Sequence, residues 1–592
     1  MTGNSTNRNS ILVGILAMCL ASCGDGNQAA GPVGSSPIAT RSGTFTGVPA
    51  RMPEVTAFKG IRYAAAPEGA LRWKPPQPAP RAEGVVAADT NGASCPQDGA
   101  GAQSEDCLFL NVYAPSAAER GSNLPVLVFV HGGAFLSGNG SIYDATSMVA
   151  ENNIIVVTLN YRLGALGLLV EPGLLATEAS HFENVGDGGN YGFIDQQFAL
   201  QWLRDNIAAF GGAPDKVTMT GESAGGQSAF FHLASPLTAQ GLFHGIISQS
   251  SGSTYNNLPS KTAFQEKFAE AFAADIGCAA TDGDCFRKKP VADILVSQNR
   301  VFGRYNLSPV HGTKALPLSF KAAFQSGQII KVPVMNGTTA HEGRFFLPNQ
   351  LQRPSLEDAV AAGGPANFTL THANAFCGSA EAPATCTSPS LLNRYLGAGL
   401  AGTRFGVVVP TINTPAFGQT LADLYPMENF LNPYRGNAPN ADMALARVFT
   451  DMVMACNALA ANRDLAATGI SVFAYEFDDP NAPSRSSPVQ PPNNVFGYPS
   501  GAEHTSELQY LYDSGKGFTP EQAELARIMR GYWANFARAL DPGNEKLPAF
   551  KRFPAVQRLV PSGPEPTNTF DEDHYCTSFW QPILTGAQPS KG

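Results

Sequence analysis

Apolar runs bounded by turn signals set the rhythm of this chain. Leu124 to Val130 is apolar at every position, as a strand buried on both faces must be. Ile154 to Asn160 is a second such run, and Lys216–Thr220 and Gly245–Ser248 read as shorter strands. Between them Phe198, Trp202, Leu203, Ile207 and Phe210 recur at helical spacing over Asp195–Phe210, and Gly211-Gly212 ends that helix. Further on, Val332–Gly337 and Ser471–Phe477 predict two more strands. Thr519-Pro520-Glu521-Gln522 is a capping box with Pro at the first helical position, opening a helix that runs to about Leu540. Strands alternating with helices predict an α/β fold: a central, mostly parallel sheet flanked by helices. Between Phe345 and Pro439 the pattern gives way to Gly-, Pro- and Asn-rich loops, which predicts a cap-like insertion around residues 345–439.

Composition narrows the function classes. The 592 residues are ample for a large core, and from Gly43 the pattern runs on without a break or a repeat, so residues 43–592 are expected to form one catalytic-sized domain. A net charge of −9 with no long basic run argues against nucleic acid as a partner.

The N-terminus reads as an export signal. Arg8 precedes the apolar stretch Ile11–Leu20, which is too short to span a bilayer. It ends in Leu20-Ala21-Ser22-Cys23, which resembles a bacterial lipobox; an ordinary secretory signal with an incidental cysteine is the alternative. On the first reading residues 1–22 are removed, Cys23 is lipidated, and residues 23–42, rich in Gly, Ala, Ser and Pro, form a flexible tether. The membrane is then met only through the anchor, because buried acyl methylenes contribute about 0.8 kcal/mol each. The expected location is the bacterial cell envelope, or the medium if the chain is secreted.

Eight cysteines remain beyond Cys23, an even number that predicts disulfides formed in an oxidising compartment. Cys95–Cys107, Cys278–Cys285 and Cys377–Cys386 would close short loops, and Cys456–Cys576 would tie down the C-terminal segment. Zinc is the competing use, but no C-x-x-C or close Cys/His spacing supports a metal site.

The chemistry centres on Gly221-Glu222-Ser223-Ala224-Gly225-Gly226. A strand before G-x-S-x-G and a helix after it make a nucleophile elbow, which holds a serine hydroxyl exposed on a strained turn. Gly221 and Gly225 are needed because side chains there would collide across the turn. The amide of Ala224 opens the helix, where the backbone dipole favours developing negative charge. Glu222 beside the serine reads as part of a buried hydrogen-bond network with a modest electrostatic role.

Motifs along the whole length then point to one family. Phe58–Tyr63 with Leu71-Arg72-Trp73, Ser104–Val112, His131-Gly132-Gly133-Ala134-Phe135, Asn160-Tyr161-Arg162-Leu163-Gly164, the elbow, and Trp533–Ala537 occur in the order of the type-B carboxylesterases. From Gly43 to Trp580 the chain resembles that cholinesterase-like group, which includes bacterial p-nitrobenzyl esterases. The resemblance implies the α/β-hydrolase fold and hydrolysis of a small-molecule carboxylic ester through an acyl-enzyme, without a cofactor. It implies Ser223 as nucleophile, Glu342 as acid and His504, in Gly501–Glu507, as base, in the order Ser…Glu…His that this fold uses. It also implies that the Gly133 and Ala134 amides join Ala224 in an oxyanion hole. Ser251 is a candidate support for the acid, His341 a solvated neighbour, and His574 a structural residue. The Cys95–Cys107 loop lacks any aromatic residue, which argues against a choline ester, and the rich Phe content with an envelope location points to uncharged esters. A non-catalytic adhesion module, or an amidase or carbamate hydrolase using the same residues, remains as an alternative. The motifs do not encode the oligomeric state.

Overall fold

The computed structural model describes residues 31–585 except 36, 100, 176–187, 239, 257, 304–306, 351–414, 485–497 and 513–516. Its strands, in chain order, are β1 (Ile38–Thr40), β2 (Gly43–Thr46), β3 (Val48–Pro49), β4 (Val55–Arg62), β5 (Val85–Ala87), β6 (Phe109–Pro115), β7 (Leu124–Val130) and β8 (Ile155–Leu159). They continue with β9 (Gly212–Glu222), β10 (Gly245–Gln249), β11 (Val334–Thr339), β12 (Leu431–Asn432), β13 (Ala438–Pro439), β14 (Val472–Phe477), β15 (Val556–Leu559) and β16 (Glu565–Thr567). One large sheet has the order β16-β15-β14-β11-β10-β9-β7-β8-β6-β4-β3. From β8 through β7, β9, β10, β11 and β14 to β15 every pairing is parallel. The antiparallel strands lie at the two edges.

Strand β7 shows why its sequence is continuously apolar. Val126, Val128 and Val130 join a core with Phe193, Phe230 and Leu203, whereas Leu127 and Phe129 join a second core with Met148, Trp533 and Phe536. Successive side chains point to opposite faces, and here both faces are covered by helices. Each fully buried side chain of this size stabilises the fold by roughly 1.5–3 kcal/mol. The helices Tyr191–Asn206 and Ala224–Ala234 contribute to the first core, and Thr146–Asn152 and Pro520–Ala539 to the second. The capping box forms as its sequence predicts: Gln522 N donates to Thr519 Oγ1 at 3.3 Å and Thr519 N to Gln522 Oε1 at 3.0 Å.

The N-terminal boundary differs from expectation. Residues 31–42 are not a tether. The Val33 and Gly34 amides donate to Ala118 O and Ser116 O, β1 pairs antiparallel with β2, and Val33 and Ile38 are buried. Two isolated apolar residues in a Gly/Pro/Ser background suffice, because the Ala118 and Ser116 carbonyls and strand β2 meet this segment. Residues 1–30, with the export signal and Cys23, lie outside the described residues. Among the described residues the disulfides Cys95–Cys107, Cys278–Cys285 and Cys456–Cys576 are present, while Cys377–Cys386 and most of the 345–439 insertion lie outside them.

Candidate active site

Ser223, Glu342 and His504 stand beyond the carboxyl ends of β9, β11 and β14, respectively, where open parallel sheets form their ligand crevices. Ser223 caps the helix Ala224–Ala234 with φ 56° and ψ −121°, a conformation that costs a non-glycine residue about 1–3 kcal/mol. The surroundings enforce it. Ser223 N donates to Gln249 O at 2.8 Å, and Gly221 and Gly225 are packed so tightly that an added Cβ would lie 2.7 and 2.0 Å, respectively, from Val130 O. The elbow glycines are therefore there for closeness between helix and sheet, not for positive φ.

Glu342 is fully buried. Its Oε1 accepts from Thr338 Oγ1 (2.7 Å) and from Thr339 N (2.9 Å), and its Oε2 pairs with His504 Nδ1. Burial alone would push this carboxyl up, but the charge of His504, its hydrogen bond and the Thr339 amide help outweigh burial and hold it below its ordinary value. The serine beside Glu342 is Ser250, in a left-handed turn at φ 50°, rather than Ser251. The Ser251 hydroxyl pairs with Ser248 Oγ at 2.6 Å, which corrects its expected role as a support of the acid. A one-residue difference of this kind is set by the left-handed turn at Ser250, which no side-chain pattern announces.

The imidazole of His504 lies between two carboxylates. Its Nε2 is 3.1 Å from Glu222 Oε1 while Nδ1 holds Glu342, and the rings of Phe345 and Phe346 flank it at 5.4 and 4.7 Å. Burial disfavours the imidazolium, but Glu222 and then Glu342 reverse that and raise the pKa from its ordinary 6.5 to about 9. Glu222 thus has a stronger electrostatic effect than its expected place in a network. Glu507, three residues after His504, was not singled out from sequence. Burial first, then the charges of Glu222 and Glu342, push its carboxyl well above the ordinary carboxylate range. Gln249 Nε2 donates to its Oε1 at 3.3 Å. The spacing of three from the histidine was the available signal.

His341 is not a solvated bystander. Its amide donates to Ala502 O at 2.9 Å, and Ala502 N donates to its Nδ1 at 3.1 Å, which staples the Glu342 loop to the His504 loop. Gly501 makes the fit: it has φ 57°, and an added Cβ would lie 2.7 Å from His341 Nδ1.

Gly133 and Ala134 lie in the turn after β7, with φ of 101° and 66°. An added Cβ on Gly132 would lie 2.7 Å from Glu222 O and 3.0 Å from Ser223 Cβ, so this turn touches the elbow directly. The Asn160-Tyr161-Arg162-Leu163-Gly164 motif supports it. Tyr161 OH donates to His131 O (2.8 Å), Gly140 N to Asn160 Oδ1 (2.8 Å) and Gly164 N to Phe135 O (2.6 Å). Ala224 N, at the first position of its helix, has no intrahelical acceptor. Backbone amides in the turn against the elbow and at the helix start, a strained serine and a buried imidazole paired with a carboxylate are groups that can stabilise an oxyanion and move a proton.

A model of the carboxylesterase family matches residues 35–576. The chain belongs to the carboxylesterase family. It is 31% identical to an acylcarnitine hydrolase of Rattus norvegicus, over 91% of this chain and 89% of that protein. It is 28% identical to a cocaine esterase of Homo sapiens, over 97% and 95% of the two chains. Among solved structures a PNB esterase superposes with a TM-score of 0.66 at 26% identity, covering 93% of this chain and 99% of the other. A Geobacillus stearothermophilus carboxylesterase gives 0.67 at 27%, covering 91% and 99%. This carboxylesterase is a serine carboxylic ester hydrolase with the α/β-hydrolase fold, as its motifs predicted. All four tryptophans are buried in it, so none is displayed on the surface for a quaternary ammonium group.

Proposed function

We propose that Ser223, His504 and Glu342 carry out the hydrolysis, on uncharged carboxylic esters. The observation that carries this assignment is the His504 imidazole, locked through Nδ1 to a buried, ionised Glu342 beyond β11, which β10 separates from the elbow strand β9. His504 Nε2 takes the proton from Ser223 Oγ as that oxygen bonds the ester carbonyl carbon. The carbonyl electron pair moves to oxygen, where the amides of Gly133, Ala134 and Ala224 hold it. The imidazolium then protonates the alcohol oxygen as the C–O bond breaks. Water, deprotonated by the same nitrogen, then bonds the acyl carbon, and the carboxylic acid leaves as the C–Oγ bond breaks and the imidazolium returns its proton to Ser223 Oγ. Glu342 fixes the tautomer and stabilises the cation without itself being protonated. Losing one oxyanion donor costs about 3 kcal/mol of barrier lowering.

The export reading belongs to the same proposal: residues 1–22 are removed, Cys23 carries the lipid, and the enzyme works in the cell envelope. The three disulfides support an oxidising compartment.

Incubation with a fluorophosphonate, followed by peptide mass mapping, tests the nucleophile. A single adduct on Ser223 is expected, with loss of activity in step. An active enzyme modified elsewhere contradicts the assignment. A panel of neutral esters, choline esters, amides and carbamates tests the substrate class, with neutral esters turned over fastest.

A further inference from the structure

The turn that carries the Gly133 and Ala134 amides is not self-sustaining. Ala134 (φ 66°) and Phe135 (φ 61°) are consecutive non-glycine residues in the left-handed region, each costing about 1–3 kcal/mol. The turn closes on the Gly133 carbonyl, which accepts from Leu136 N and Ser137 N, both at 3.0 Å. Tyr161, Gly164 and Asn160 hold its flanks and centre, as described above. Its closing residue, Gly138, is held from elsewhere: Gly138 N donates to Gln97 Oε1 at 2.8 Å, and Gln97 Nε2 donates to Gly138 O at 3.0 Å.

One side-chain amide thus pairs with both polar groups of one backbone residue, as a neighbouring strand would. It fixes the position and the rotation of that peptide together. Gly138 cannot settle into another arrangement cheaply, because it also lies against His131, whose Nδ1 would be 2.5 Å from an added Cβ. Gln97 is itself immobilised. It sits two residues after Cys95 in the loop closed by Cys95–Cys107, its Nε2 also donates to Cys95 O (3.0 Å), and its N donates to Gln103 Oε1 (2.9 Å).

We propose that Gln97 is a positioning residue for ester hydrolysis: it clamps Gly138 and so keeps the strained turn with its amides aimed at the developing oxyanion. This inference rests on the oxyanion role proposed above. It gives the disulfide-closed loop, which lacks an aromatic residue, a different use: it is the arm that presents the clamp. Only a primary carboxamide offers a donor and an acceptor at this reach. An oxyanion hole displaced by a fraction of an ångström loses transition-state binding before it loses substrate binding.

The test uses the full-length enzyme and Gln97→Met, which keeps the length and removes both bonds. On a p-nitrophenyl ester kcat is expected to fall roughly 10- to 100-fold, with KM changed by less than about threefold. Affinity for a trifluoromethyl ketone, which forms a tetrahedral oxyanion on the serine, should fall by the same factor as kcat/KM. The thermal midpoint should stay close to that of the parent. Gln97→Glu keeps the acceptor but sets a second oxygen against the Gly138 carbonyl, and should lose at least as much. Asp98→Ala, at the exposed neighbour in the same loop, should behave as the parent. Parent-like kcat in Gln97→Met or Gln97→Glu, or a loss of kcat with unchanged ketone affinity, overturns the proposal. If the parent enzyme itself takes no fluorophosphonate on Ser223, the underlying reading fails and the clamp with it. A parent labelled at Ser223 with a fully active Gln97→Met sinks the clamp alone.

Discussion

Among the described residues of this carboxylesterase two buried histidines are each set between two carboxylates, and one of them lies at the elbow. His504 has Glu342 on Nδ1 and Glu222 beside Nε2. His574 has Asp451 on Nδ1 at 2.6 Å and Glu476 on Nε2 at 2.9 Å. In both, burial opposes the imidazolium and the flanking acids prevail, so both pKa values are raised. The difference lies in the third neighbour. At His574 the Arg447 guanidinium joins Asp451 at 2.8 Å and donates to Asp573 O at 2.6 Å, so cations and anions balance. The Cys456–Cys576 disulfide lies beside it, with His574 O 3.4 Å from Cys456 Sγ. At His504 the charges of Glu222, Glu342 and a third acid, Glu507, favour the imidazolium, and the strained Ser223 is next in sequence to Glu222. A histidine between two acids is therefore no sign of catalysis by itself. The cluster with a guanidinium lies beside the disulfide of the C-terminal segment, and the cluster at the elbow is ringed by acids that favour the imidazolium.

The largest expected separation between the two is kinetic. His504→Ala should lower kcat on the order of 10⁶-fold with little change in the unfolding midpoint. His574→Ala should leave kcat per folded molecule unchanged. An equal loss of kcat from both variants would break the distinction. Glu342→Gln comes next, at about 10⁴-fold in kcat, because the wrong tautomer is then held at Nδ1. The matching effect at the other cluster is on stability. Removing the His574 ring leaves Asp451 and Glu476 partly uncompensated and should cost about 3–5 kcal/mol by denaturant titration.

The smallest effect is the most diagnostic of Glu222. His504 acts as a base only when neutral, so its pKa near 9 places the rising limb of kcat/KM near pH 9. Glu222→Gln removes a charge that raises that pKa, and the limb should move to lower pH. A limb that stays in place contradicts the electrostatic role. The same shift has a sign for stability. Because the folded pKa is raised above the ordinary 6.5, the contribution is complete below pH 6.5 and is lost as pH climbs toward 9. The parent should therefore lose stability across that window, and Glu222→Gln should lose less.

Most of the frame was legible in sequence because it depends on local pattern. β7 spans the predicted Leu124–Val130, and the last long helix opens at Pro520 as its capping box requires. Ser223 was singled out by the G-x-S-x-G pattern and Glu342 and His504 by the family resemblance, and the fold brings the last two into contact across 162 positions. Contacts made at long range were not legible. Val33 and Ile38 look like tether residues until β2 and Ala118 meet them. His341 looks solvated until Ala502 arrives from 161 positions away. Gln97 is one polar residue in a polar loop, and only the fold sets it against Gly138. The direct contact of Glu222 with His504 likewise needs β9 and the loop after β14 side by side.

The account stands most directly on the serine. Hydrolysis of a short p-nitrophenyl ester by Ser223→Ala should fall to the uncatalysed background, with circular dichroism and the unfolding midpoint unchanged. Turnover retained by a folded Ser223→Ala enzyme would contradict it.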